Sequence, residues 1–195
     1  MVSKLNICNL ALAHLGQAPV SSLTQDDERA RRLNLFYEPV KNEVLRAHNW
    51  GFAGAETTLA RLEQTPGADG FFAYQYPAQA LFIRSVFDVQ APQKTLPFHV
   101  FFNETTQSRI LKTSGAQACA RYTRRITDET LLDPAFVKVF SLALACDLAV
   151  ALTADAQLAG QLLTKYQFAL AEARRSNLSE QCEQTADRDC FTEVR

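Results

Sequence analysis

A chain of 195 residues is long enough to bury a core without disulfide or metal staples. Its 20 basic and 21 acidic side chains leave a formal net charge of -1, so no global field draws it to nucleic acid or to an anionic membrane. Five cysteines without C-x-x-C spacing and three widely separated histidines do not form the usual metal-ligand patterns.

Ser3 is placed to cap a first helix, in which Leu5, Cys8, Leu12 and Leu15 recur at three- and four-residue intervals. Gly16 stops it and Pro19 prevents its return. A polar connection, Gln17 to Gln25, leads to a second helix that Thr24 is expected to cap, with Asp26, Asp27 and Glu28 at its positive end. Ala30, Leu33, Tyr37, Val40, Val44 and Ala47 keep one apolar face. Pro39 removes one backbone hydrogen bond from that run and predicts a kink. Trp50 and Phe52 are expected to seal the helix end against the core, with His48 as an interfacial partner.

From Thr57 the period changes to that of strands. Phe72, Tyr74 and Tyr76 alternate before Pro77, and Ile83, Phe87 and Val89 share one parity of the next run. Further strands are predicted at Phe98 to Asn103, Arg109 to Thr113 and Cys119 to Ile126. The short connections at 103–106 and Ser114-Gly115 predict antiparallel hairpins.

The most apolar stretch runs from Asp133 to Leu152. Asp133 at the N-cap and Pro134 at the first helical position open a helix there. Its length approaches a membrane span, but Lys138 and Asp147 would each be costly in lipid, which predicts a buried core helix. Asp147 shares a side with Phe136, Phe140, Ala143 and Ala151, so its carboxylate is expected to be desolvated. It then serves either a structural ion pair or, less simply, a catalytic site. Thr153 or Asp155 can cap a last helix with the stripe Leu158, Leu162, Tyr166, Ala169 and Ala173.

These elements predict a mainly α, α+β fold: a four-helix bundle of two N-terminal and two C-terminal helices, with an inserted antiparallel β meander. The expected boundaries are 1–56 and 127–177 for the bundle and 57–126 for the β insertion. Residues 178–195 are read as a mobile, polar tail whose terminal anchors are Phe191 and Val194.

No phosphate loop, dinucleotide fingerprint or nucleophile elbow occurs. No residue is assigned to catalysis, to a cofactor or to a metal. Arg29, Arg31 and Arg32, and later Arg121, Arg124 and Arg125, are the densest basic groups. They suit salt bridges along a helix and across strands, or subunit contacts in which arginine meets carboxylates. Arg29, Arg32 and Asp147 are the candidates for an interface or ion pair.

Three segments, in order, resemble the tail tubular protein A family of short-tailed bacteriophages. The first is Asn9-Leu10-Ala11-Leu12-Ala13-His14-Leu15-Gly16-Gln17-Ala18-Pro19-Val20, followed by Tyr37 and Val44-Leu45-Arg46-Ala47-His48-Asn49-Trp50-Gly51-Phe52-Ala53. The second is Tyr74-Gln75-Tyr76-Pro77-Ala78-Gln79-Ala80-Leu81-Phe82-Ile83-Arg84-Ser85-Val86. The third is Arg121-Tyr122-Thr123, then Phe136 and the alanine-leucine helix, ending near Ala169-Leu170-Ala171-Glu172-Ala173-Arg174. Asp147 and Ala78-Gln79 depart from the family's pattern.

The resemblance implies a head-to-tail adaptor or gatekeeper ring, a dodecamer that docks on the portal protein and receives the tail nozzle protein. Duplex DNA would pass through its lumen without specific binding, and no membrane or catalysis is involved. Such a protein belongs to the virion neck, in a free phage or a prophage, and is assembled in the bacterial cytoplasm. Its tail residues Phe191, Val194 and Arg195 are the candidate portal contacts. A neck adaptor of a long-tailed phage or gene-transfer particle is the neighbouring reading. A virion-associated hydrolase with paired acids and a DNA-binding module built on the first two helices are readings of other classes.

Overall fold

The computed structural model describes residues 2–62, 67, 70–104 and 107–180. Four helices are present: α1 (Lys4–His14), α2 (Glu28–Ala47), α3 (Pro134–Thr153) and α4 (Ala156–Glu180). Between α2 and α3 lie seven strands: β1 (Gly54–Thr58), β2 (Phe72–Gln75), β3 (Ala80–Asp88), β4 (Thr95–Leu96), β5 (Phe98–Asn103), β6 (Ser108–Thr113) and β7 (Ala118–Arg124).

The caps follow local chemistry. Ser3 accepts from the Asn6 N–H at 3.2 Å, and α1 ends on Gly16 at φ 67°, a backbone region that costs glycine little. Helix α2 starts later than expected. Its cap is Asp27, whose carboxylate accepts from the Arg29 N–H, whereas the Thr24 N–H is taken by the Ser22 hydroxyl in the preceding loop. Pro39 lies within α2, which runs on to Ala47. Asp133 accepts from the N–H groups of Ala135 and Phe136 at 2.8 and 3.2 Å, and Asp155 performs the same service for α4. Asp133→Ala should lower stability by about 1 kcal/mol, read as a fall in the urea midpoint at unchanged slope.

The expected bundle with an inserted meander is not what forms. The structure is an α+β fold, with 48% of the described residues helical and 23% in strands that make two antiparallel sheets. In the helical part α1, α2 and α4 each pack on α3, and no other pair of helices packs comparably. The reason lies in α3 itself. Its buried residues include the consecutive run Val139 to Ala145, which occupies every side of the helix, so one bundle face could not cover it. Three helices enclose it instead.

The strands also depart from a meander. One sheet has the order β1-β7-β3-β4 and the other β2-β6-β5. The turn at Ser114-Gly115 therefore carries the chain from one sheet to the other, and β6 and β7 are not a hairpin. The β5–β6 pair, from Phe98↔Thr113 to Asn103↔Ser108, is one. A single layer would have left the apolar faces of these strands in water. Between the two sheets, Tyr74 and Leu111 pack with Ile83, Val86, Leu96, Ala120 and Tyr122 in a second core.

Strand β3 joins the two cores. Leu81 belongs to the helical core and Ile83 to the β core, while register shifts on either side of Phe82 and Ile83 re-aim the side chains between them. Arg84 donates from Nε to Thr123 Oγ1 and from Nη2 to the carbonyls of Leu45, Arg46 and His48 at the end of α2.

Candidate interaction surfaces

The densest cluster of buried titratable groups sits where α1, α2 and the turn Glu129–Leu131 meet. Lys41 is 1% exposed, and its Nζ lies 2.9 Å from Glu38 and 3.5 Å from Glu129. The Tyr37 hydroxyl donates to the same Glu129 carboxylate at 3.4 Å, and the Lys4 and Lys41 ammonium groups both lie over the Tyr37 ring. Burial pushes the Cys8 thiol up to about 12, against the pull of Lys4 and with a further push from Glu129. Burial and then Glu129 raise the Tyr37 hydroxyl as well. A thiol and a phenol held protonated are poor nucleophiles. The arrangement ties the approach to α3 onto α2, and its chemistry is that of a structural ion pair. Lys41 is not marked by the apolar periodicity of α2; its place four residues after Tyr37 is the signal the sequence offers for it.

Of the arginines singled out from the sequence, Arg29, Arg31 and Arg32 are engaged locally, whereas Arg121 pairs across strands with Glu56. Arg29 pairs with Asp27 at 2.6 Å and donates to the Ala18 carbonyl, and Arg32 pairs with Glu28 one turn away. That hydrogen-bonded Arg29 side chain holds the Asp27 carboxyl down at about 2. Asp147 corrects the expectation of a buried carboxylate. It is exposed, and among the described residues it has no cationic partner. Its pKa is raised by partial desolvation and by the like charge of Glu43. Arg29, Arg32 and Asp147 are thus not brought together. Phe191, Val194 and Arg195 lie outside the described residues, and α4 continues through residues 178–180 of the expected tail.

At the C-terminal end of α2, His48 and Trp50 meet edge to face, and Asn177 of α4 donates to His48 Nε2 at 3.1 Å and to the Asn49 carbonyl. Its oxygen accepts from the Gly51 N–H, and Arg174 donates to the Ala47 carbonyl. Burial, then Arg174 and Arg84, lowers the His48 pKa below its ordinary value of 6.5. The unfolded chain therefore takes up the proton first. The stability this ring confers is complete above about pH 6.5 and is lost as pH falls toward the folded pKa. The melting temperature should fall between pH 7.5 and 5.5, and His48→Gln should shrink that fall. Asp147, shifted upward, contributes with the opposite sign.

Beyond single exposed side chains such as Leu35 and Phe168, two clustered apolar features stand out among the described residues. One is an open groove of about 640 Å³ lined by Val2, Asn6, Ile7, Asn9, Leu10 and Val137, between the start of α1 and α3. The other is β5, where Val100, Phe101 and Phe102 are 44, 50 and 60% exposed in succession. The β5–β6 register places His99 and Phe101 on one face and Val100 and Phe102 on the other. The Phe101 ring has Lys112 Nζ 5.8 Å from its centroid, and nearer β2 Arg109 of β6 stacks on Tyr76 at 4.2 Å. Three consecutive exposed apolar residues are a cost to a free monomer and a resource for an assembly. Among the described residues, no group of three His, Cys, Asp or Glu side chains converges as a metal site.

The chain matches no protein-family model and no curated protein sequence.

Proposed function

We propose that this chain is a structural virion protein: a subunit of the head-to-tail adaptor ring that joins the portal to the tail nozzle and lines part of the DNA channel. The observation that carries the reading is the exposed Val100-Phe101-Phe102 run on an edge strand. It occurs in a chain whose densest buried polar cluster is occupied with holding the fold. The ordered resemblance of three segments to the tail tubular protein A family supports the same reading. Near-neutral net charge suits a channel that passes duplex DNA without retaining it, since each lysine or arginine held on a phosphate adds adhesion.

Subunits would fold singly in the host cytoplasm and gather as a dodecamer when a portal template raises their local concentration. The tail beyond residue 177, with Phe191, Val194 and Arg195, would engage the portal. Mixing the chain with the portal protein encoded in the same genome should produce, by electron microscopy, an added ring with the portal's symmetry. Bare portal particles beside folded monomer would refute the adaptor reading. Removal of residues 181–195 should abolish docking with little change in melting temperature.

A further inference from the structure

We propose that β5 adds, strand to strand, onto the β1 edge of a second copy of this chain, so that neighbouring subunits are joined by a continuous backbone ladder. This rests on the ring reading and specifies the contact that closes the ring.

Strand β5 ends one sheet and β1 ends the other. Among the described residues, the backbone of Phe98 to Phe102 pairs only with β6 and that of Ala55 to Thr57 only with β7, while at the ends of β1 the Gly54 N–H donates to the Gly51 carbonyl and the Thr58 carbonyl accepts from the Thr57 hydroxyl. Edges left open in soluble proteins are ordinarily blunted by charge, proline, bulges or shortness. Strand β5 has none of these: six residues in unbroken register, no proline, no Lys, Arg, Asp or Glu, and apolar side chains exposed on both faces. A partner strand would cover Val100, Phe101 and Phe102 and satisfy the free N–H and C=O groups together.

The topology identifies the partner. Pro97 alone separates β4 from β5, which sets the open edge of β5 on the β4 flank of the sandwich. The segment after β1 crosses to β2, where the Leu62 N–H donates to the Ala73 carbonyl and the Gln75 N–H to the Ala60 carbonyl. The open edge of β1 therefore lies on the opposite flank. Two unlike edges on opposite flanks cannot meet within one molecule, but they join copies head to tail, the arrangement that closes into rings. Their lengths, five and six residues, correspond. No like charges would face each other, because β5 carries none and the single charge on β1, Glu56, is paired with Arg121 at 2.6 Å.

The test is to mix Glu56→Cys protein with His99→Cys, Val100→Cys, Phe101→Cys or Phe102→Cys protein on the portal under mild oxidation. The new pair can then form only between copies. Directly opposed residues in an antiparallel ladder have Cα atoms about 4.5–5.5 Å apart, within disulfide reach, and side chains alternate faces. Crosslinked dimer should appear at one parity of β5 and be absent at the adjacent residues. Phe101→Glu should abolish the added ring while leaving the melting temperature unchanged. Rings that form with no disulfide at any of the four positions, or with disulfides that ignore parity, would overturn strand pairing between copies while leaving the adaptor reading standing. Absence of both ring and disulfide would overturn both.

Discussion

Phe136→Ala should lower stability by about 3–5 kcal/mol, seen as a fall of roughly 6–20 °C in melting temperature. Phe136 is fully buried near the N-terminal end of the central helix. Its ring centroid lies 5.2 Å from Trp50, 5.0 Å from Phe52 and 6.0 Å from Phe140, and Phe140 in turn meets Tyr37 at 5.0 Å. The ring thus holds together the end of α2, the turn Gly51–Ala53 and α3, and truncation removes edge-to-face contacts as well as area. The Trp50 indole is fixed by its own hydrogen bond to the Val44 carbonyl at 2.9 Å, so it cannot swing in to fill the cavity without leaving that carbonyl unpaired. Phe136→Leu should recover more than half of the loss. A melting temperature within 3 °C of wild type for the alanine variant would mean that the site collapses freely.

Arg84→Ala should cost about 2–4 kcal/mol, and the loss should have a distinctive form. One guanidinium satisfies Thr123 on β7 and three carbonyls at the end of α2. Those carbonyls lie where the helix has run out of backbone donors and its dipole is negative, which is where a cation is most useful. Removing the side chain loosens the helical core from the β core, with Arg46, donating to the Leu81 carbonyl at 3.1 Å, left as the nearby polar tie. Urea unfolding should then broaden, with a reduced apparent slope, as the two cores cease to unfold together. Arg84→Lys should rescue little, because an ammonium cannot serve both partners with a fixed fork. A sharp single transition in the alanine variant would show that apolar contacts alone couple the cores.

Those two sites illustrate what could be read in the sequence and what could not. The Asp133-Pro134 start of α3, the Ser3 cap and the Gly16 stop are local signals, satisfied by groups within a few residues, and they were legible. So was the β5–β6 hairpin. The turn at Ser114-Gly115 was equally visible, yet a turn does not say which sheet receives the next strand; that choice is made by the core shared between Tyr74, Leu111 and Tyr122. The enclosure of α3 by three helices is written in its apolar composition, but the bundle reading assumed a single packed face. Asp147 was expected to be buried because its wheel position matches Phe136 and Phe140, whereas it lies nearer the exposed C-terminal end of α3. Arg84 carried no signal, since its partners are 36–39 residues away in sequence. The exposed run on β5 has the sequence of an ordinary strand, and alternation alone does not reveal a missing neighbour.

The position of α3 in the chain also governs how the protein is born. The helix on which α1, α2 and α4 all pack spans Pro134–Thr153, so α1 and α2 leave the ribosome without their main partner. At an elongation rate of about 5–20 residues per second, α1 waits ~7–25 s before α3 emerges. During that interval Ile7, Leu12, Leu33 and Val44 are uncovered, and the β5 strand is already available to other chains. Nascent chains truncated before Pro134 should therefore be clients of chaperones and proteases, and synthesis speed should set the yield of folded protein.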